Sequence, residues 1–171
     1  MKAEDWMTRD VRTCRPETSM NEAAHLMWAR DCGALPVVGA DARVVGMITD
    51  RDLCMGAYLQ GKALKDLRVG DSMTRTVFSC QATDPIEEVI RCMGNNQVRR
   101  VPVVDARGKP VGILSLNDLA RQVVALQDER QRTRLLPRLV EALASICETR
   151  VGETPEVVPV QRGAGQPLMV G

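Results

Sequence analysis

Two quartets, Thr49-Asp-Arg-Asp52 and Ser115-Leu-Asn-Asp118, set a hydroxyl three residues ahead of a carboxylate. Each closes an apolar run, GMITDRDL at Gly46–Leu53 and GILSLNDL at Gly112–Leu119. A hydroxyl at the N-cap with an acid at the third helical position satisfies free N–H groups of the first turn and suits the positive end of the helix dipole. The same geometry suits a ligand. Free N–H groups and a hydroxyl at a helix start take up a phosphate, and a carboxylate accepts from the two vicinal hydroxyls of a ribose. The two uses are compatible, so the spacing marks a helix start and a candidate sugar-phosphate site in one place. The glycine opening each stretch would let a ligand or a backbone come close.

Other chemistry is not legible. The single histidine, His25, falls on the polar side of a helix with no evident nucleophile beside it, so no Ser/His/Asp or Cys/His arrangement is legible and no catalytic residue is assigned. The six cysteines (Cys14, Cys32, Cys54, Cys80, Cys92, Cys147) show no CxxC spacing, and one histidine does not complete a zinc set. They read as buried, reduced thiols of a cytoplasmic protein.

The elements that position the quartets come twice. Shifted by 66 residues, MTRDVRTC at Met7–Cys14 falls on MTRTVFSC at Met73–Cys80, LPVV at Leu35–Val38 on VPVV at Val101–Val104, and VVGMITDRDL at Val44–Leu53 on PVGILSLNDL at Pro110–Leu119. Across 47 gapless positions 15 are identical, which marks an internal duplication of two halves about a pseudo-twofold rather than a solenoid. Within each copy the pattern is β-α-β-β-α, an α/β arrangement with helices over short strands. Val11–Cys14 reads as extended. Ser19 and Glu22 form a capping box before a stripe of Ala23, Leu26 and Met27; in the second copy Asp84 caps, Pro85 takes the first helical position and Glu87 completes the box. A hairpin follows, and the hydroxyl-x-x-Asp then starts a helix, Asp50 to about Leu59 and Leu116 to about Leu126. The organisation is therefore residues 1–60, a linker at 61–71, residues 72–126, a helical segment at 127–150 and an extended or disordered tail at 151–171. In the helical segment Leu135, Leu139, Leu143 and Ile146 make one stripe, and Pro137 marks a break or new start.

Each copy resembles a CBS (cystathionine β-synthase) domain, and the tandem resembles a CBS pair, or Bateman module. The resemblance covers Trp6 to about Arg121. It rests on the opening Met-Thr, the LPVV and VPVVD strands and the Gly-x-x-Thr/Ser-x-x-Asp-Leu endings, each found twice in order. It implies two composite clefts for adenosine compounds: AMP, ADP, ATP, NAD(H) or S-adenosylmethionine. In one, Thr49, Arg51 and Asp52 would face Val77, Ser79, Arg99, Arg100 and Pro102, with Asp52 on the ribose, Thr49 on the phosphate side and the arginines neutralising phosphate. In the other, Ser115, Asn117 and Asp118 would face Thr13, Gly33, Ala34 and Pro36. Arg99-Arg100 stands where the other copy has Gly33-Ala34, so the Asp52 cleft is expected to prefer the more phosphorylated ligand. The resemblance also implies a homodimer through the helices, and a partner protein whose activity the ligand-bound module regulates.

Composition narrows the alternatives. Net charge is +1 with a pI near 7.6, and only Trp6, Trp28, Tyr58 and Phe78 are aromatic. No global field draws the chain to nucleic acid or membrane, and there are too few aromatics for a base-stacking surface. The core is expected to be aliphatic and Met-filled, with Met27 and Met93 as examples. The arginines at 130, 132, 134 and 138 alternate with Asp128, Glu129 and Glu141, a weak pattern for nucleic acid. A structural interaction module with empty clefts is the competing reading.

Overall fold

The computed structural model describes residues 1–148, so the tail expected at 151–171 and the last two residues of the 127–150 segment lie outside the described residues. The chain opens with one helical turn, Ala3–Trp6 (α1). Met20–Ala29 (α2) follows the expected capping box: Ser19 Oγ accepts from the Glu22 N–H, and the Glu22 carboxylate accepts from the Ser19 N–H. Ala34–Val38 (β1) and Val44–Thr49 (β2) pair antiparallel, and Asp50–Gln60 (α3) leaves directly from β2. Two short 3₁₀ turns lead to the second repeat: Cys80–Gln81 (β3), Ile86–Asn95 (α4), Arg100–Val104 (β4), Pro110–Ser115 (β5) and Leu116–Ala125 (α5). Glu129–Cys147 (α6) ends the described chain.

The start of α4 differs from expectation. Asp84 Oδ2 accepts from the Gln81 N–H at 2.7 Å and closes a turn instead of capping, and Pro85 precedes the first helical residue. Glu87 pairs with Arg134 of α6, because a charged donor outcompetes a backbone N–H for its carboxylate. The first strand of each repeat is also slight. It is a two-residue strand on β4 in the second copy, and in the first a single parallel bridge from Cys14 to Val37.

The opening segments are exchanged between the halves. Thr8 pairs with Ile113 on the edge of β5, and Thr74 pairs with Met47 on the edge of β2, each through two backbone hydrogen bonds of 2.9–3.0 Å. Both sheet edges are thereby covered by chain from the other repeat. The glycines of the two motifs make room for this. A Cβ on Gly46 would meet Met73 Sδ and the Thr74 carbonyl at 2.9 and 3.0 Å, and one on Gly112 would meet Met7 Sδ and, at 3.1 Å, the Thr8 carbonyl. Backbone, rather than ligand, is what comes close at these two glycines.

Two cores result. One holds Met20, Ala23, Met27, Leu35, Val37, Ile48 and Leu53 of the first repeat with Leu67 and Val69 from the connection and Met73 from the opening of the second repeat. The other holds Ile86, Val89, Ile90, Met93, Val101, Val103, Leu114, Leu119 and Val123 of the second repeat, closed by Ala3 and Trp6 of α1 and by Leu135, Leu139, Ala142 and Ile146 of α6. The expected aliphatic, Met-filled character is present, with Met27 and Met93 both buried. α6 runs unbroken through Pro137, contrary to the expected break. Its buried stripe grips the second core on both sides of the proline, which offsets the lost N–H. Ala142 replaces Leu143 in that stripe, leaving Leu143 exposed.

Candidate functional site

Thr49 is the last residue of β2 and the N-cap of α3. Its N–H donates to Asp52 Oδ2 at 2.9 Å, its hydroxyl donates to the same oxygen at 2.7 Å, and Asp52 N–H donates to Thr49 Oγ1 at 3.2 Å. Ser115 and Asp118 repeat this at the β5–α5 junction with 2.9, 2.6 and 3.1 Å. Both motifs are thus reciprocal capping boxes, as the spacing predicts. All four residues are half-buried, so each box sits at a surface and not in the core.

The exchanged segments carry the residues expected opposite these boxes. From Thr74, bridged two residues before Thr49, the chain crosses through half-buried Val77 and exposed Ser79 to Cys80, which pairs with Val103 next to Pro102. From Thr8, bridged two residues before Ser115, it crosses through half-buried Thr13 to Cys14, whose N–H donates to the Pro36 carbonyl at 3.2 Å. Each crossing therefore links a hydroxyl-x-x-Asp of one repeat to the proline strand of the other, and both prolines are buried.

The residues at the start of those strands are tied to their own repeat. Strand register sets Ala34 opposite Thr49 and Arg100 opposite Ser115, so each faces the hydroxyl of its own repeat. The Gly33 carbonyl accepts from Asp50 N–H and the Arg99 carbonyl from Leu116 N–H. Gly33 and Ala34, which the resemblance sets in the cleft of Ser115 and Asp118, are bonded through their backbone to the β2–α3 junction. The Arg100 side chain does cross over: its Nη2 lies 3.1 Å from where a Cβ on Gly33 would stand, next to the Asp50 carboxylate. Arg100, Asp31 and Asp50 rim a groove of about 520 Å³ whose apolar lining includes Met27, Trp28 and Leu53. Arg51 and Asn117 are exposed at the second positions of α3 and α5. Among the described residues Arg51, Arg99 and Arg100 make no ion pair.

One feature of the site was not anticipated. Arg121 of α5 is ion-paired through Nη2 to Asp118 Oδ1. An i,i+3 Asp-Arg pair can be read from helical spacing, but only after the aspartate is known to use its other oxygen in the cap. The expected burial of the thiols fails for Cys54 and Cys147. Cys14 and Cys80 are buried, Cys32 and Cys92 are partly covered, and Cys54 and Cys147 are exposed. All six are free. Burial pushes the Cys14 thiol up to about 11 and that of Cys80, which also faces the Asp84 charge, up to about 12. No group of three or more His, Cys, Asp or Glu suited to a metal occurs among the described residues, and none of their helices is long and apolar enough to cross a membrane.

A family model described as CBS domain matches residues 3–56 and again 64–125. The chain is 36% identical over 116 residues to the CBS domain-containing protein YhcV of Bacillus subtilis, covering 68% of this chain and 81% of that one. It superposes with a TM-score of 0.64 and 28% identity on the CBS domain pair of protein MJ0100 in complex with 5′-methylthioadenosine and S-adenosyl-L-methionine, covering 71% of this chain and 94% of that one. With CBSX2 in complex with AMP the TM-score is 0.62 and the identity 28%, over 72% and 96% of the two chains.

Proposed function

The chain belongs to the CBS-domain family, and on that premise we propose that it is a non-catalytic regulatory module that binds an adenosine nucleotide between its repeats. The observation that carries this reading is the doubled site: a hydroxyl and a carboxylate at a helix start, faced by a segment that the other repeat lays across it. Asp52 accepts from the ribose, Thr49 turns its hydroxyl to the phosphate, and Arg51 with Arg99 or Arg100 neutralises phosphate charge. The second cleft offers Ser115 and Asp118 with Asn117 in place of Arg51, and the Arg100 guanidinium reaches across to Gly33 of the first repeat. Val77, Ser79 and Pro102 line the first cleft; Thr13 and Pro36 line the second, with Gly33 and Ala34 at the junction. Similarity to pairs solved with AMP and with S-adenosylmethionine supports the ligand class. Ligand favours one arrangement of the repeats by its differential affinity, and a partner protein reads that arrangement.

Thermal melting with AMP, ADP, ATP, NAD, NADH and S-adenosylmethionine in turn tests the reading. A ligand at a hundredfold over its dissociation constant adds about 2.7 kcal/mol, a rise of roughly 5–11 °C for a chain this size. The rise is expected to shrink in Asp52→Ala. ATP affinity is expected to fall in Arg100→Ala; unchanged affinity removes Arg100 from the site.

A second reading, a dimerisation module without ligand, is favoured by two observations. Each carboxylate is already engaged by its own cap. In addition, Trp28, Met55, Tyr58 and Leu59 stand exposed on α2 and α3. The two readings share the homodimer and part at the melting experiment, where no shift from nucleotide-free protein selects the second.

A further inference from the structure

The two boxes differ at the carboxylate itself. An ionised carboxylate has about four acceptor positions. In both aspartates Oδ2 uses two of them on the N–H and hydroxyl of its own N-cap residue. Asp118 then uses a third on Arg121, leaving one. No donor among the described residues reaches Oδ1 of Asp52, which keeps two. A vicinal diol presents two O–H donors, so Asp52 can receive both hydroxyls of a ribose as it stands, while Asp118 must first release Arg121. The repeat alignment shows why: the residue matching Arg121 in the first copy is Met55, whose thioether has no N–H to offer.

We propose that Arg121 is a specificity-determining residue that sets the two clefts apart, competing with ribose for Asp118 and making the Asp52 cleft the primary nucleoside site. This rests on the reading above, that both aspartates meet a ribose. The Arg121 side chain is 78% exposed and that of Asp118 12%. The guanidinium is therefore held at its tip only, and swings into water when a diol arrives. An ion pair with one exposed partner shifts affinity by a factor of about two to five.

The probe is 5′-methylthioadenosine, which carries the ribose diol but no phosphate, so that any effect of Arg121 passes through Asp118. Calorimetric titration of the full chain in an Asp52→Ala background reads the Asp118 cleft alone. There Arg121→Met is expected to tighten binding about two- to fivefold, and the gain is expected to vanish with the 2′-deoxy analogue. In an Asp118→Ala background, Met55→Arg installs the same pair beside Asp52 and is expected to weaken binding by a similar factor. Neither residue is buried, and the two exchanges act in opposite directions, so loss of fold does not mimic the pattern. Binding in both clefts that ignores both exchanges, or that weakens in Arg121→Met, overturns the proposal and leaves the nucleotide reading standing. No binding of the probe, AMP or ATP by the unmutated chain overturns that reading and this inference with it.

Discussion

At the scale of single residues, the chemistry rests on groups serving a fold and a site together. Thr49 and Ser115 complete reciprocal caps, so Thr49→Ala and Ser115→Ala are each expected to lower stability by about 1 kcal/mol, measurable by urea denaturation. Thr49→Ser keeps the hydroxyl and is expected to restore most of it. The thiols give a separate test. At pH 8 a disulfide-exchange reagent is expected to modify exposed Cys54 and Cys147 first, with Cys14 and Cys80 reacting only on unfolding. Their burial also has a sign. The folded chain keeps protons on Cys14 and Cys80 that the unfolded chain releases above the ordinary thiol value of 9.0. The unfolded state then binds fewer protons, so stability falls as pH rises from about 9 towards 11–12. A denaturation series across that window is expected to lose part of its downward slope in Cys80→Ala.

Among elements, the exchanged segments decide most. Gly46 and Gly112 lie under backbone carbonyls of Thr74 and Thr8, which cannot move without breaking the edge pairing. Gly46→Ala and Gly112→Ala are expected to destabilise by about 1–3 kcal/mol through overpacking and, because the same crossings carry Val77, Ser79 and Thr13, to weaken ligand binding as well. Melting and titration of the same variants separate the two effects. α6 supplies a second test. Leu135 is fully buried in the second core, so Leu135→Ala is expected to cost about 2–5 kcal/mol. Leu143 lies outside the buried stripe, and Leu143→Ala is expected to fall within about 0.5 kcal/mol of the unmutated chain.

For the whole molecule, a duplicated sequence has produced unequal halves. α6 packs on α4 so closely that a Cβ on Gly94 would stand 3.1 Å from the Cα of Ala142. The residue matching Gly94 in the first repeat is Trp28, 89% exposed, and no helix among the described residues covers it. The homodimer proposed above therefore draws on the first repeat. Trp28→Glu with Tyr58→Glu is expected to shift the chain towards monomer in sedimentation and to remove the dependence of its melting temperature on protein concentration. A dimer untouched by both substitutions would place the interface elsewhere. The arginine-rich start of α6 is partly neutralised within the chain, Arg134 by Glu87 and Arg132 by Glu129, which weakens the case for nucleic acid further.

Local signals were enough to read the duplication, the hairpins, the capping boxes and the helix starts. These depend on hydrophobic period and on hydrogen bonds spanning three or four residues, all of which are written into neighbouring positions. Asp84 was taken by a competing local turn with Gln81, whereas Pro137 and Leu143 went another way because packing of α6 on a core distant in sequence outweighed their local preference. Which repeat receives each opening Met-Thr, why Gly46 and Gly112 must be glycine, where the Arg100 guanidinium ends, and the capture of one site aspartate by Arg121 depend on contacts between segments or on which oxygen a cap leaves free. Two copies of one pattern carry the same local information, and only the packed chain could make them different.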